Sequence, residues 1–324
     1  MLGFLEILGF SGALAASLAI SVPFNGALVR LRANFNPKSI QLDAEGNVEP
    51  HTGPVVTSFL GMLRRVKRIE GWSGLYKGLM PTVLETSLLS IFVLVALDSD
   101  AARYGPIVPK TGILGRLAYA TVALLLNLPA VVITYRAITT PYRLPYFNPI
   151  YSLRILLTPT ERRRPWLLYT TPGLFAAQFL HLAYKILFIG SLKVLLLPVS
   201  EDPTDRAPFD VNPVKLGIMI TIALLSTFIL CPLEVIASKL AIQRNHAAPE
   251  YNSVSQEVEE EDVAPEEYVE YAGADEDVIG LRHEKDPYLG LIDCTKRVVD
   301  EEGWGALFRA WWLTAFGNLG NAVV

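Results

Sequence analysis

Charged and hydrogen-bonding side chains set inside long apolar runs are the residues with chemistry to offer here. Glu85 is the only charge in residues 79–97, and Gln178, His181 and Lys185 lie in a run that starts near Pro172. The last three are spaced i, i+3 and i+7, one face of a helix. An ionisable group inside a bilayer is costly to leave unpaired, so each is by default a functional candidate. Glu85 and Lys185 facing each other across a cavity suit a zwitterion or a small charged acid; a plain structural ion pair is the blander use. His181 alone reads as a packing or hydrogen-bonding residue. Cys231 and Cys294 have no metal-site or disulfide spacing. Gly-rich phosphate loops, catalytic triads and nucleic-acid motifs are absent from the sequence, so the expectation is no enzyme, cofactor, metal or nucleic acid.

These residues must be positioned by membrane helices. Hydrophobic residues make up 51% of the 324, above the usual soluble fraction. Residues 117–135 hold no charge, 216–238 only Glu234, and 1–29 only Glu6. Each run is near the ~20 residues that a bilayer core requires of a helix. The class expected is an all-α membrane protein, with membrane lipid as its first partner. MLGFLEILGF has neither a basic n-region nor a cleavage site, so it reads as mature membrane helix inserted by internal signals.

Three prolines impose a period. Pro23, Pro129 and Pro232 each sit late in an apolar run and each has a base seven residues on: Arg30, Arg136 and Lys239. Proline kinks a helix by removing a backbone donor, and the shared spacing predicts one domain, 1–324, of three repeats: 1–105, 106–205 and 206–324. A second signature recurs with them. EGWSGLYKG (70–78) returns as EGWGALFRA (302–310), each copy ahead of an apolar run. In repeat two its place is taken by TERRRPWLLYTT. Residues 55–69 predict a short amphipathic helix with Arg64, Arg65, Lys67 and Arg68 on its wet side. Six helices in pairs would put both termini on one face and these bases, with Arg162–Arg164, on the other. Trp304, Trp311 and Trp312 read as interfacial anchors at the start of the sixth helix, whose fifteen residues rise ~22 Å against a ~30 Å core.

Repeat three carries an insertion. Residues 250–277 hold 12 acids and no Lys or Arg, which leaves +8 on the rest of a chain of formal charge −4. The stretch 246–286 is expected to be disordered. A solvated spacer is the simpler use of it; a docking site for a basic protein partner is the sharper one.

Three ~100-residue repeats with a kinking proline, two of them with [DE]-G-x4-[FWY]-[KR]-[GA], resemble the mitochondrial carrier family. The resemblance implies six tilted helices about a pseudo-threefold axis, three short helices lying on the membrane surface, and one central cavity opening alternately to either side. It also implies roles. The family's P-x-[DE]-x-x-[KR]-x-[KR] supplies a ring of gate ion pairs, but the six gate positions here are Asn25, Leu28, Val131, Thr134, Glu234 and Ala237, with Glu234 the single charge. The outer brace is expected as Arg30 with Glu70 and Lys239 with Glu302, and Arg136 is left without its acid. Of the opposite gate only Asp98 remains. Glu85, eight after Lys77, stands where the family contacts substrate; the same offset gives Gly317 and, with Thr170 aligned to Lys77, Gln178. Two functions follow: transport of a small metabolite across a mitochondrial membrane, the inner one by family habit, or a non-transporting outer-membrane role in fusion, membrane shape or protein insertion.

Overall fold

The computed structural model describes residues 4–38, 41–42, 48–49, 55–96, 112–146, 148–196, 212–245, 271–273, 276–284 and 286–323. Asp98 lies outside them. In chain order the elements are α1 (Phe4–Ala33), a hairpin of β1 (Gln41–Leu42) and β2 (Val48–Glu49), α2 (Phe59–Ile69), α3 (Gly71–Leu75) and α4 (Leu79–Ala96). Then come α5 (Ile113–Thr139), α6 (Pro149–Leu156), α7 (Pro159–Arg163), α8 (Leu174–Ala183) and α9 (Ser191–Leu196). The last are α10 (Pro213–Ile242), α11 (Leu291–Arg297) and α12 (Trp311–Val323). A π turn at Tyr184–Gly190 joins α8 to α9 as one rod. The hairpin, two residues per strand with Gln41 opposite Glu49, is the departure from an all-helical fold among the described residues.

Among the described residues four helices are long and apolar enough to cross a bilayer: Gly12–Ala33, Ile113–Thr139, Leu174–Leu196 and Pro213–Ile242. At most 33% of the most apolar window of each is buried within the protein, so these surfaces need lipid. Of the remaining helices, α4 has 18 residues and α12 has 13.

Pro23, Pro129 and Pro232 are interior to α1, α5 and α10, and each stands ten residues before its helix ends, at Ala33, Thr139 and Ile242. The bends therefore share one depth, ~15 Å from each C-terminus. Burial gathers in the same segments: Ala27, Val29 and Leu31 on α1, Val132, Ala137 and Ile138 on α5, Val235, Ile236 and Leu240 on α10. Towards their N-termini the same helices expose Ile20, Leu114 and Val214. The three helices thus pack together at their C-terminal ends.

The short helix α2 follows its amphipathic pattern. Ser58 caps it by accepting from the Gly61 N–H, Phe59, Met62 and Val66 point inward, and Arg64, Lys67 and Arg68 are exposed. A tight turn precedes each of α4, α8 and α12, at Gly78 (φ 89°), Gly173 (φ 77°) and Ala310 (φ 56°). Left-handed backbone at these three positions fixes the register between repeats.

The stretch expected to be disordered, 246–286, is corrected at its far end. Residues 246–270 lie outside the described set, but Val278 and Ile279 are buried in the same cluster as Ala27, Leu31 and Met62. Two apolar residues after the last acids give that segment an anchor that its composition conceals.

Candidate functional site

The bases seven residues after each proline all find buried acids. Arg30 meets Glu70 at 2.6 Å, Lys239 meets Glu302 at 2.6 Å, and Arg136 meets Glu161 at 2.6 Å. Each base lies in the last turn or so of its helix, where the dipole favours positive charge. The Arg136 pair corrects the expectation that repeat two lacks this acid. Thr158 and Glu161 form a reciprocal capping box at the start of α7, which aims the carboxylate at Arg136. Burial raises the Glu161 pKa, but the Arg136 hydrogen bond and charge and the N–H groups of Asn245 and Thr158 outweigh it and hold the carboxyl below its ordinary range. Relative to the tryptophan that follows it, Glu161 sits three residues further back than Glu70 or Glu302 do, nearly one helical turn.

Each brace also reaches the next repeat. Lys77, 2.6 Å from Glu70, donates to the Thr140 carbonyl at 2.8 Å. Arg309, 2.7 Å from Glu302, donates to the Asn34 carbonyl. Arg136 itself donates to the Gln243 carbonyl. Asn34, Thr140 and Gln243 all stand eleven residues after their prolines, where the last carbonyls of α1, α5 and α10 lack helical partners. The first repeat grips the second, the second the third, and the third the first. These contacts form a closed ring.

Glu234, the one charge expected at the gate positions, also finds partners. Glu234 Oε2 accepts from Arg32 Nη2 at 2.6 Å and from the Thr314 hydroxyl at 2.6 Å, and its Oε1 lies 3.1 Å from His181 Nε2. Arg32 comes from α1, His181 from α8 and Thr314 from α12, so one carboxylate ties groups from all three repeats. Arg32 was missed because it lies outside the gate motif. It is four residues beyond Leu28, one turn along the same helix face, and so brings a base to the place where Leu28 has none. Glu234 remains the one charge at the six gate positions, and its ion-pair partner comes from outside them. Arg32 Nε, buried, has no hydrogen-bond partner among the described residues. Asn25 is exposed, and Ala237 is buried near the ring as apolar packing requires.

The other polar candidates separate. Glu85 accepts from Asn127 Nδ2 at 2.7 Å, and no ion pair joins it to Lys185 among the described residues. The left-handed turn puts Gly78, Gly173 and Ala310 in register, so Leu180, not Gln178, is the counterpart of Glu85 and Gly317. Gln178 is half-buried, and Lys185 sits in the π turn, a distortion that recurs at functional sites. Among the described residues no group of His, Cys, Asp and Glu forms a metal site. Trp304, Trp311 and Trp312 are exposed beside the start of α12.

Proline-bent helices joined by one carboxylate, four of them long and apolar enough to cross a bilayer, define a helical membrane protein. Residues 213–324 match the family model described as mitochondrial carrier protein. No curated protein matches the chain. The matched segment contains Pro232, Glu234, Lys239 and Glu302, so both partners of one brace and the carboxylate that Arg32 pairs with fall within it.

Proposed function

We propose that the protein carries a small charged or zwitterionic metabolite across a mitochondrial membrane, with α4 and α12 completing six crossings around one polar path. One observation carries the reading. Glu234 holds Arg32, His181 and Thr314 together across three repeats, where alternating access needs a contact that forms in one state and breaks in the other. A cargo with its own carboxylate competes for Arg32, whose free Nε–H offers a further donor. Glu85, fixed by Asn127, supplies a negative end for an ammonium group. The full chain, purified into liposomes and screened against amino acids and organic acids, should take up one class, and Glu85→Ala or Arg32→Ala should abolish that uptake. No uptake from any panel overturns the reading.

A second reading has one observation in its favour. The gate region holds a single ion pair between repeats, Arg32 with Glu234, among the described residues. A fold closed so lightly suits a non-transporting member in the outer membrane that serves fusion, membrane shape or protein insertion. Protease treatment of intact mitochondria tests it. Cleavage within residues 246–270 would place that loop in the cytosol and favour this second reading.

A further inference from the structure

The residues that follow the acidic insertion run across the place where α1, α5 and α10 converge. At the α5 end, Tyr271 bridges to Tyr142 with ring centroids 5.0 Å apart, and the Ala272 N–H donates to the Pro141 carbonyl at 2.9 Å. At the α1 end, the Gly280 N–H donates to Asn34 Oδ1 at 2.9 Å, and the Phe35 N–H donates to the Gly280 carbonyl at 2.8 Å. At the α10 end, Gln243 exchanges two hydrogen bonds with the Tyr288 backbone, at 2.9 and 3.1 Å, and Arg244 meets Glu284 at 3.4 Å. The same segment is fastened to α2: Arg65 donates to the Val278 carbonyl at 3.1 Å and the Asp277 carbonyl at 3.0 Å, and lies 3.1 Å from Glu276. Val278 and Ile279 insert between α1 and α2, in one buried cluster with residues of both.

These contacts do more than decorate a surface. A cavity of about 240 Å³ lies between the helix ends and the segment, lined by Thr139, Thr140, Lys239, Gln243, Arg282 and Tyr288. Arg282 is stacked 4.8 Å over Tyr288 and paired with Glu301 and Asp286, which stiffens the span above that cavity. Separation of any one helix end from the others breaks hydrogen bonds to this segment. Most of those bonds are to its backbone, so they depend on its path more than on its side chains.

We propose that residues Tyr271–Gly273, Glu276–Glu284 and Asp286–Tyr288 form a built-in strap that holds the C-terminal ends of α1, α5 and α10 together, and that its release is required before this face opens. The strap acts on the fold whether or not a cargo crosses it. Its most exposed fastening is the Glu276 carboxylate, which meets Arg65 at 3.1 Å and Arg68 at 3.8 Å.

The test uses the full chain in lipid nanodiscs, with hydrogen exchange read at 30–38, 136–142 and 239–245. The double variant Tyr142→Cys, Tyr271→Cys staples the strap to the α5 end, and the buried Cys231 and Cys294 do not compete for it. Oxidation should slow exchange at all three helix ends, and reductant should restore it. Arg65→Ala should raise exchange at the α1 and α10 ends about tenfold, as expected for the loss of a charge-assisted hydrogen bond. Exchange that changes only within 271–288, with all three helix ends unmoved in both variants, overturns the proposal. Failure of the two cysteines to join also counts against it. Absence of uptake in liposomes bears on the transport reading alone, because these measurements need no cargo.

Discussion

Arg32 and Glu234 meet at 2.6 Å across 202 residues of chain, and theirs is the ion pair that joins the first repeat to the third inside the membrane region. Neither belongs to a complete gate motif. Their side chains are largely buried, and Thr314 bonds to both. Removing one partner strands the other, whereas removing both leaves an apolar joint.

Arg32→Met should therefore lower stability by about 2–3 kcal/mol, less than a fully buried pair because Glu234 keeps Thr314 and His181. The double variant Arg32→Met, Glu234→Met should regain part of the loss. Thermal unfolding of the four proteins in one detergent closes the cycle. Additive losses would show that the pair is not coupled.

Glu161→Gln should cost about 3 kcal/mol or more, as a broken buried pair does, and should rank with Glu70→Gln and Glu302→Gln. A loss well below those two would show that α7 contributes no equivalent acid. Chemical denaturation of the three variants side by side gives the ranking.

The same residue sets a pH dependence. The folded-state pKa of Glu161 lies below its ordinary value, so its contribution is complete above the ordinary carboxylate range and is lost as pH falls through the folded value. The gap in unfolding temperature between wild type and Glu161→Gln should be widest near neutrality and narrow on acidification below that range. A gap that widens with acid contradicts the sign.

Gly173→Ala tests the turn before α8. Its φ of 77° is left-handed, and an added Cβ would lie 2.2 Å from the Leu291 nitrogen and 2.7 Å from the Gly290 carbonyl carbon. These atoms belong to one peptide bond, and backbone cannot move aside cheaply, so a loss of about 2 kcal/mol or more is expected. Ala310 occupies the equivalent place in repeat three at φ 56°, and Ala310→Gly should cost little or nothing. Equal losses at both sites would refute the shared register.

Much of this architecture was legible in the sequence, because bilayer length and the proline interval are coarse signals that survive drift. Arg30 with Glu70 and Lys239 with Glu302 were the pairs that the family resemblance implied, and both are present. What stayed hidden had moved by about one helical turn. Glu161 and Arg32 keep the direction of a side chain while leaving its motif position, and a pattern read along the chain penalises the displacement that a helix forgives. The register of α8 was lost for a related reason: Thr170 was matched by order in the chain, whereas the left-handed turn at Gly173 sets the counting. In the inserted loop, twelve acids outweighed Val278 and Ile279, although two buried side chains suffice to pin a segment whose backbone finds partners.

The contacts of Lys77, Arg136 and Arg309 run in one rotational sense, each unit holding the carbonyl end of its successor until the last holds the first. Such an arrangement has no loose end at which motion can begin. A single unit cannot tilt outward without dragging its neighbours, so any opening of this face is a concerted, iris-like step, and damage at one joint is felt at the other two.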